Sequence, residues 1–110
     1  MFIEYIHKKV EELKKEEMQL QNALKQDEAN LVKVKVNIYE ICKTIYNMAK
    51  KAPDGQEPKE FYMQRMERLH SEWKASYEKA KQFEDVEKVV IEEIKLGVLE
   101  EMNQKFLELC

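Results

Sequence analysis

Only two glycines, two prolines and two cysteines occur in 110 residues, and each scarcity excludes something. Few glycines and prolines mean few turns, which rules out a β-meander or an α/β alternation of short elements. The enrichment in Glu, Lys, Leu and Met that accompanies this sparse punctuation predicts an all-α protein. Cys42 and Cys110 show no metal or redox spacing. In an extended helical protein they should lie too far apart to bridge, so Cys42 is expected to be a small buried hydrophobe and Cys110 an exposed thiol. Serine is nearly missing too: Ser71 and Ser76 both fall inside a helical pattern, and no Gly-rich turn presents a nucleophile or cradles a phosphate. No enzyme and no cofactor is expected.

Long apolar runs are also lacking, with nothing near the roughly 20 residues needed to span a bilayer, so no membrane partner is expected. The start of the chain, Met1 to Lys9, shows no basic leader followed by an apolar segment, and a cytoplasmic location is therefore expected. Net charge is −3, and the lysines at 8, 9, 14, 15, 33, 35, 50 and 51 are interspersed with acids. There is no basic face for nucleic acid.

What the chain does have is a seam. Ile3, Ile6, Val10, Leu13, Glu17, Leu20, Leu24, Asp27, Leu31, Val34, Ile38, Ile41, Ile45, Met48 and Ala52 follow one another at alternating steps of three and four. Only Glu17 and Asp27 are polar, and charges at such positions commonly fix the register of a coiled coil. The spacing predicts a single helix over about 2–52, about 75 Å long, whose seam another helix must cover.

The segment 52–58, with both prolines and Gly55, is the one convincing loop. Pro53 cannot continue the preceding helix, Asp54-Gly55 suits a turn, and Pro58 fits the first turn of the next helix. A second helix over about 58–108 follows, so the whole chain, 1–110, is expected to form one helical-hairpin domain: a long antiparallel coiled coil. Pairing positions that sum to about 111 sets Met48 against Met63, Ile45 against Met66, Ile38 against Trp73, Leu31 against Ala80, and Leu20 against Val90 or Ile91. Past Phe83 the second seam changes phase, which predicts a stutter or a kink near 84–85; with no proline or glycine there, a continuous or gently bent helix is expected in preference to a third helix. Gly97 is expected at a close approach of the two arms.

Beside the seam, Val32, Tyr39 and Tyr46 recur every seven residues, with Cys42 and Ala49 between. A two-helix hairpin would leave this stripe wet. The expected interface is therefore Val32, Tyr39, Cys42 and Tyr46 together with Phe61 and Met63, covered by a second copy in a homodimeric four-helix bundle. Glu4-x-x-His7 and Glu67-x-x-His70 match the spacing of a di-iron carboxylate motif, but the hairpin would hold the two histidines tens of ångströms apart, so no metal is expected.

The expected function is a non-enzymatic coiled-coil interaction or scaffold module acting on an unidentified protein partner. The alternative is a chaperone or secreted helical-hairpin substrate of a specialised export system. In outline the chain resembles the secreted hairpins of type VII systems. Those carry Trp-x-Gly at the turn, whereas this turn is Pro53-Asp54-Gly55 and Trp73 lies well inside the second helix, so no family is assigned.

Overall fold

The computed structural model describes residues 1–51 and 55–110. It contains four helices and, among the described residues, no strand: α1 (Phe2–Asn22), α2 (Gln26–Lys50), α3 (Pro58–Gln82) and α4 (Val86–Leu109). Pro58 opens α3 at its first turn as expected, but the second arm, expected as one continuous or gently bent helix, is divided into α3 and α4 where its apolar phase changes. Of the expected loop, Ala52, Pro53 and Asp54 lie outside the described residues; Gly55 has φ 88°, a conformation suited to glycine.

The expected continuous helix over 2–52 is corrected. It is divided at Ala23–Lys25, and the molecule measures 50 × 35 × 21 Å with a radius of gyration of 15.4 Å, not a rod of about 75 Å. The break needs neither proline nor glycine. Leu24 adopts the left-handed conformation (φ 60°), its N–H donating to the Gln21 carbonyl at 3.1 Å and the Lys25 N–H to the Leu20 carbonyl at 2.8 Å. This pair of bonds satisfies the last carbonyls of α1 in a Schellman motif. The residues from Gln21 to Glu28 are all exposed, so no apolar face there rewards a continuing helix.

The second break repeats the first. Glu84 has φ 54°, its N–H donates to the Lys81 carbonyl at 3.1 Å, and the Asp85 N–H donates to the Ala80 carbonyl at 3.0 Å. The two motifs are sixty residues apart, and the same offset relates the two hairpins as wholes. Every residue buried in the first hairpin has an equivalent that is buried or half-buried in the second: Phe2 and Tyr62, Ile6 and Met66, Val32 and Glu92, Ile38 and Val98, Tyr39 and Leu99, Cys42 and Met102 are buried in both. Yet only Glu12/Glu72, Lys14/Lys74, Lys35/Lys95 and Glu40/Glu100 are identical. What recurs is burial, not residue identity.

α1 pairs with α2 and α3 with α4, while α2 and α4 pack on each other as a parallel central pair; the backbones of α1 and α3 stay apart. The contacts are reciprocal, as two-fold symmetry requires. Phe2 meets Phe106 with ring centroids 5.5 Å apart and its counterpart Tyr62 meets Tyr46 at 6.2 Å; Phe2 meets Tyr46 at 5.1 Å and Tyr62 stacks on Phe106 at 4.1 Å. A pseudo-two-fold axis therefore runs between α2 and α4. Leu20 consequently lies in the α1/α2 hairpin instead of opposite Val90. Glu17 reaches Lys33 across that hairpin at 3.6 Å, and the equivalent pair in the second hairpin is Tyr77 donating to Glu93 at 3.0 Å. Asp27, far from sitting in a seam, lies in the exposed first turn of α2, where a carboxylate faces the positive end of the helix dipole.

The predicted uncovered stripe is also corrected. Val32, Tyr39 and Cys42 are 5%, 4% and 0% exposed within the single chain, because folding the second arm back lays α4 along α2. The stripe therefore gives no ground for a second copy. Gly97 is exposed on α4, and a Cβ there would meet nothing within 4 Å, so close packing does not explain it.

Two substitutions test this backbone account by urea denaturation. Leu24 is 91% exposed and loses no packing on truncation, so Leu24→Gly should stabilise by about 0.5–1 kcal/mol by relieving the left-handed strain. Gly97→Ala should stabilise by about 1 kcal/mol, as expected for an open position inside a helix; a loss instead would mean that something approaches Gly97.

Candidate functional site

The aromatic end of the bundle is built from the N-termini of α1 and α3 and the C-termini of α2 and α4. Phe2, Tyr46, Tyr62 and Phe106 converge there, and Phe2, Tyr62 and Phe106 are almost wholly inaccessible. The Tyr62 hydroxyl is buried with no aligned hydrogen-bond partner, and burial, with the neighbouring Cys42 thiol, raises its pKa well above the ordinary tyrosine value. Burial likewise pushes the Cys42 thiol up to about 12, so at neutral pH it is a protonated, inert thiol. Cys110 is exposed, and it acts on Tyr46 and Tyr62. The expectation that the cysteines lie far apart is thus corrected: both border the same tyrosine, and both are free.

The two flanks of the central α2/α4 pair are equivalent by the pseudo-symmetry and opposite in chemistry. On the α1/α4 flank, the half-buried Glu101 accepts at one oxygen from both Tyr5 (2.9 Å) and Tyr39 (2.5 Å), tying α4 to α1 and α2. Lys105 lies over the Tyr5 ring at 5.4 Å and pairs with Glu108 at 3.2 Å, while Lys9 covers the same ring at 5.7 Å. Burial, then the bond to Glu101, raises the Tyr39 hydroxyl far above the ordinary tyrosine range, and the same causes bring Tyr5 to about 12. Polar groups on this flank are answered within the chain.

On the α2/α3 flank the equivalents of Glu101, Lys105 and Glu108 are Ile41, Ile45 and Met48. They line an open groove of about 360 Å³ with Leu69, Arg65, Arg68 and Glu72. Ile41 is 37% and Met48 45% exposed. The seam that supplies this wall carries no charge between Val34 and Met48. Met63, expected opposite Met48, lines a separate recess instead, and α3 covers the seam along the groove only in part. This groove is the candidate site.

Of the residues predicted for an interface, Val32, Tyr39 and Cys42 are core, Tyr46 belongs to the aromatic quartet, and Phe61 lies half-buried beneath the Arg65 guanidinium at 5.1 Å, on the groove's flank. Met63 is elsewhere on α3, lining a separate recess with Glu67, His70, Glu100 and Asn103. His70 is 3.8 Å from Glu100, and His7 is exposed on α1. Among the described residues no group of three or more His, Cys, Asp or Glu is placed to hold a metal, and no helix is long and apolar enough to cross a membrane. Glu92 occupies the place of Val32 as a buried carboxylate. Lys95 meets one of its oxygens at 3.0 Å while lying over the Trp73 ring at 4.6 Å, which ties α4 to α3.

The residues missed from sequence are Ile41, Ile45, Met48 and Leu69, counted as covered, and Arg65 and Arg68, not singled out. A signal was present: these are the only two arginines in the chain, spaced three apart on one helix face. No protein-family model, curated protein or solved structure matches the chain.

The Tyr5–Glu101–Tyr39 junction makes a testable contribution. Tyr39→Phe should destabilise by about 1.5–3 kcal/mol, the range for a hydrogen bond to a charged acceptor, and Tyr5→Phe by less. Tyr5 loses its proton near pH 12 in the folded protein and near 10 in the unfolded chain. Its stabilisation is whole below about pH 10 and is lost as pH rises from 10 through 12. Burial of the Cys42 thiol adds the same kind of dependence starting at about pH 8.5. Melting temperature should therefore be flat from neutral pH to about 8, fall gently above that and more steeply above about 10, this last part less steeply in Tyr39→Phe; an equally steep fall above about pH 10 in that variant would refute the assignment.

Proposed function

We propose that this protein is a non-enzymatic protein-interaction module whose working surface is the α2/α3 groove. One observation carries the proposal. The two hairpins repeat their burial pattern, so the fold does not require their flanks to differ, and yet three equivalent positions are polar and internally paired on one flank and apolar on the other, where Ile41 and Met48 are exposed beside the half-buried Ile45. Exposed apolar side chains gathered in a concave strip with a charged rim are what a partner surface needs. The quiet chemistry of the rest of the chain agrees with a scaffold role: the buried thiol is held protonated, and the buried carboxylate Glu92 is already bound to Lys95.

Photo-cross-linking tests this reading in the native cell. A benzophenone amino acid at Met48 should yield a discrete cross-linked protein, and the same group at the exposed Lys8 on α1 should not. The same products from both positions, or none from Met48, would reject the groove as the working surface.

A further inference from the structure

We propose that the α2/α3 groove binds an acidic amphipathic helix of a different protein, its apolar side chains laid over Ile41, Ile45, Met48 and Leu69 and one of its carboxylates held by Arg65. This deepens the interaction-module reading and rests on it.

The argument comes from what stands at equivalent positions on the two flanks. Tyr5 on α1 donates to Glu101 on α4. Sixty residues on, the counterpart of Tyr5 is Arg65, and the counterpart of Glu101 in the first hairpin is Ile41. A donor thus meets an acceptor on one flank, while on the other the equivalent positions are an arginine and an isoleucine lining one groove. Among the described residues no carboxylate lies within 4 Å of Arg65; its recorded neighbour is the Phe61 ring, which it covers at 5.1 Å. Resting on an aromatic ring holds the guanidinium in place with its N–H groups unanswered, which suits bidentate capture of a carboxylate. Arg68, three residues on, is bound only to Glu72 at 3.4 Å, in a pair whose side chains are 74% and 58% exposed. Such a pair contributes little and yields readily to a better partner.

Charge complementarity selects the occupant. Both arginines of the chain border the groove, the α2 wall is uncharged from Val34 to Met48, and Glu72 is the one acid lining it. The opposite flank, with Glu101 and Glu108 at the corresponding places, would repel the same ligand. The apolar floor runs along α2 at steps of three and four, the spacing that receives one face of a helix. A second copy of this chain fits poorly, because facing grooves would bring arginine rims together and α4 shows Leu107 as its one large, strongly exposed apolar side chain toward the aromatic end.

Two synthetic helical peptides of about 20 residues provide the test, with the same leucines at every third and fourth position, flanked by glutamate in one and by lysine in the other. In 15N-edited NMR titrations of the full chain at low salt, the glutamate peptide should bind with shifts centred on Ile41, Ile45, Met48, Arg65 and Leu69. The lysine peptide should bind about tenfold more weakly or worse. Arg65→Glu, at an exposed position, should keep its circular dichroism and reverse the preference, whereas Lys8→Glu on the other flank should change nothing. Equal affinity for both peptides, shifts centred on another surface, no binding by either, or a cross-linked product at Met48 of twice the chain's own mass would overturn the proposal. A discrete cross-linked product at Met48 together with indifference to peptide charge would retire the acidic helix while leaving the interaction module standing.

Discussion

Four rings meeting at one end of the bundle anchor the two hairpins to each other. Phe2 and Tyr46 come from the first hairpin, Tyr62 and Phe106 from the second, and each ring touches both rings of the other hairpin. Edge-to-face and stacked pairs of this kind contribute roughly 0.5–1.5 kcal/mol each beyond the area they bury. Because the quartet sits where all four helix ends converge, it fixes α2 and α4 side by side and in parallel. From there the core extends along that pair through Cys42, Met102, Tyr39, Leu99, Ile38 and Val98. Loosening the quartet would therefore release the hairpins from each other, not merely fray an end.

The quartet depends in turn on the reversals at 23–25 and 83–85, which return α2 and α4 to the end of the bundle where α1 and α3 begin. Both reversals use the same device, a helix closed by a left-handed residue whose neighbours cap the freed carbonyls. Neither uses glycine, so each carries strain of roughly 1–2 kcal/mol offset by the packing it makes available. At the second reversal Asp85 adds a side-chain cap, accepting from the Lys88 N–H at 3.2 Å, which Lys25 at the first cannot supply. The first reversal is thus less well marked chemically than the second.

That difference explains what was legible in the sequence. The all-α class follows from scarce glycine and proline and the start of α3 from Pro58, while the change of apolar phase after Phe83 marks the place of the second break but does not distinguish a bend from a full reversal. The break at 23–25 was hidden, because Leu24 continues the three-and-four spacing although in the structure it is almost fully exposed. The available hints were Asp27 in the seam and the polar run around it. The sixty-residue repeat was hidden for another reason: equivalent positions preserve burial while exchanging Phe for Tyr, Ile for Met and Val for Glu, which identity does not detect. An unbroken first helix leaves its side stripe without cover inside the chain, which is what calls for a second copy. A continuous second arm would likewise cover Ile41 and Met48, which hides the groove.

The pseudo-symmetry also gives a way of separating what folds the chain from what it presents. Positions that match across the two hairpins, such as Ile6 and Met66 or Cys42 and Met102, are explained by the shared core. Positions that differ need another cause. On the α1/α4 flank the difference has an internal cause: Tyr5, Tyr39, Glu101, Lys105 and Glu108 answer one another. On the α2/α3 flank it has none, because Ile41 and Met48 gain little burial from being apolar and Arg65 gains no carboxylate from being charged. Polar residues in place of Ile41 and Met48 would leave the core nearly unchanged and would suit water better, Ile45 alone of the three packing against it. On the reading proposed above, the apolar residues and the two arginines at those places answer to a partner, and a bound helix of opposite charge would supply both missing halves at once.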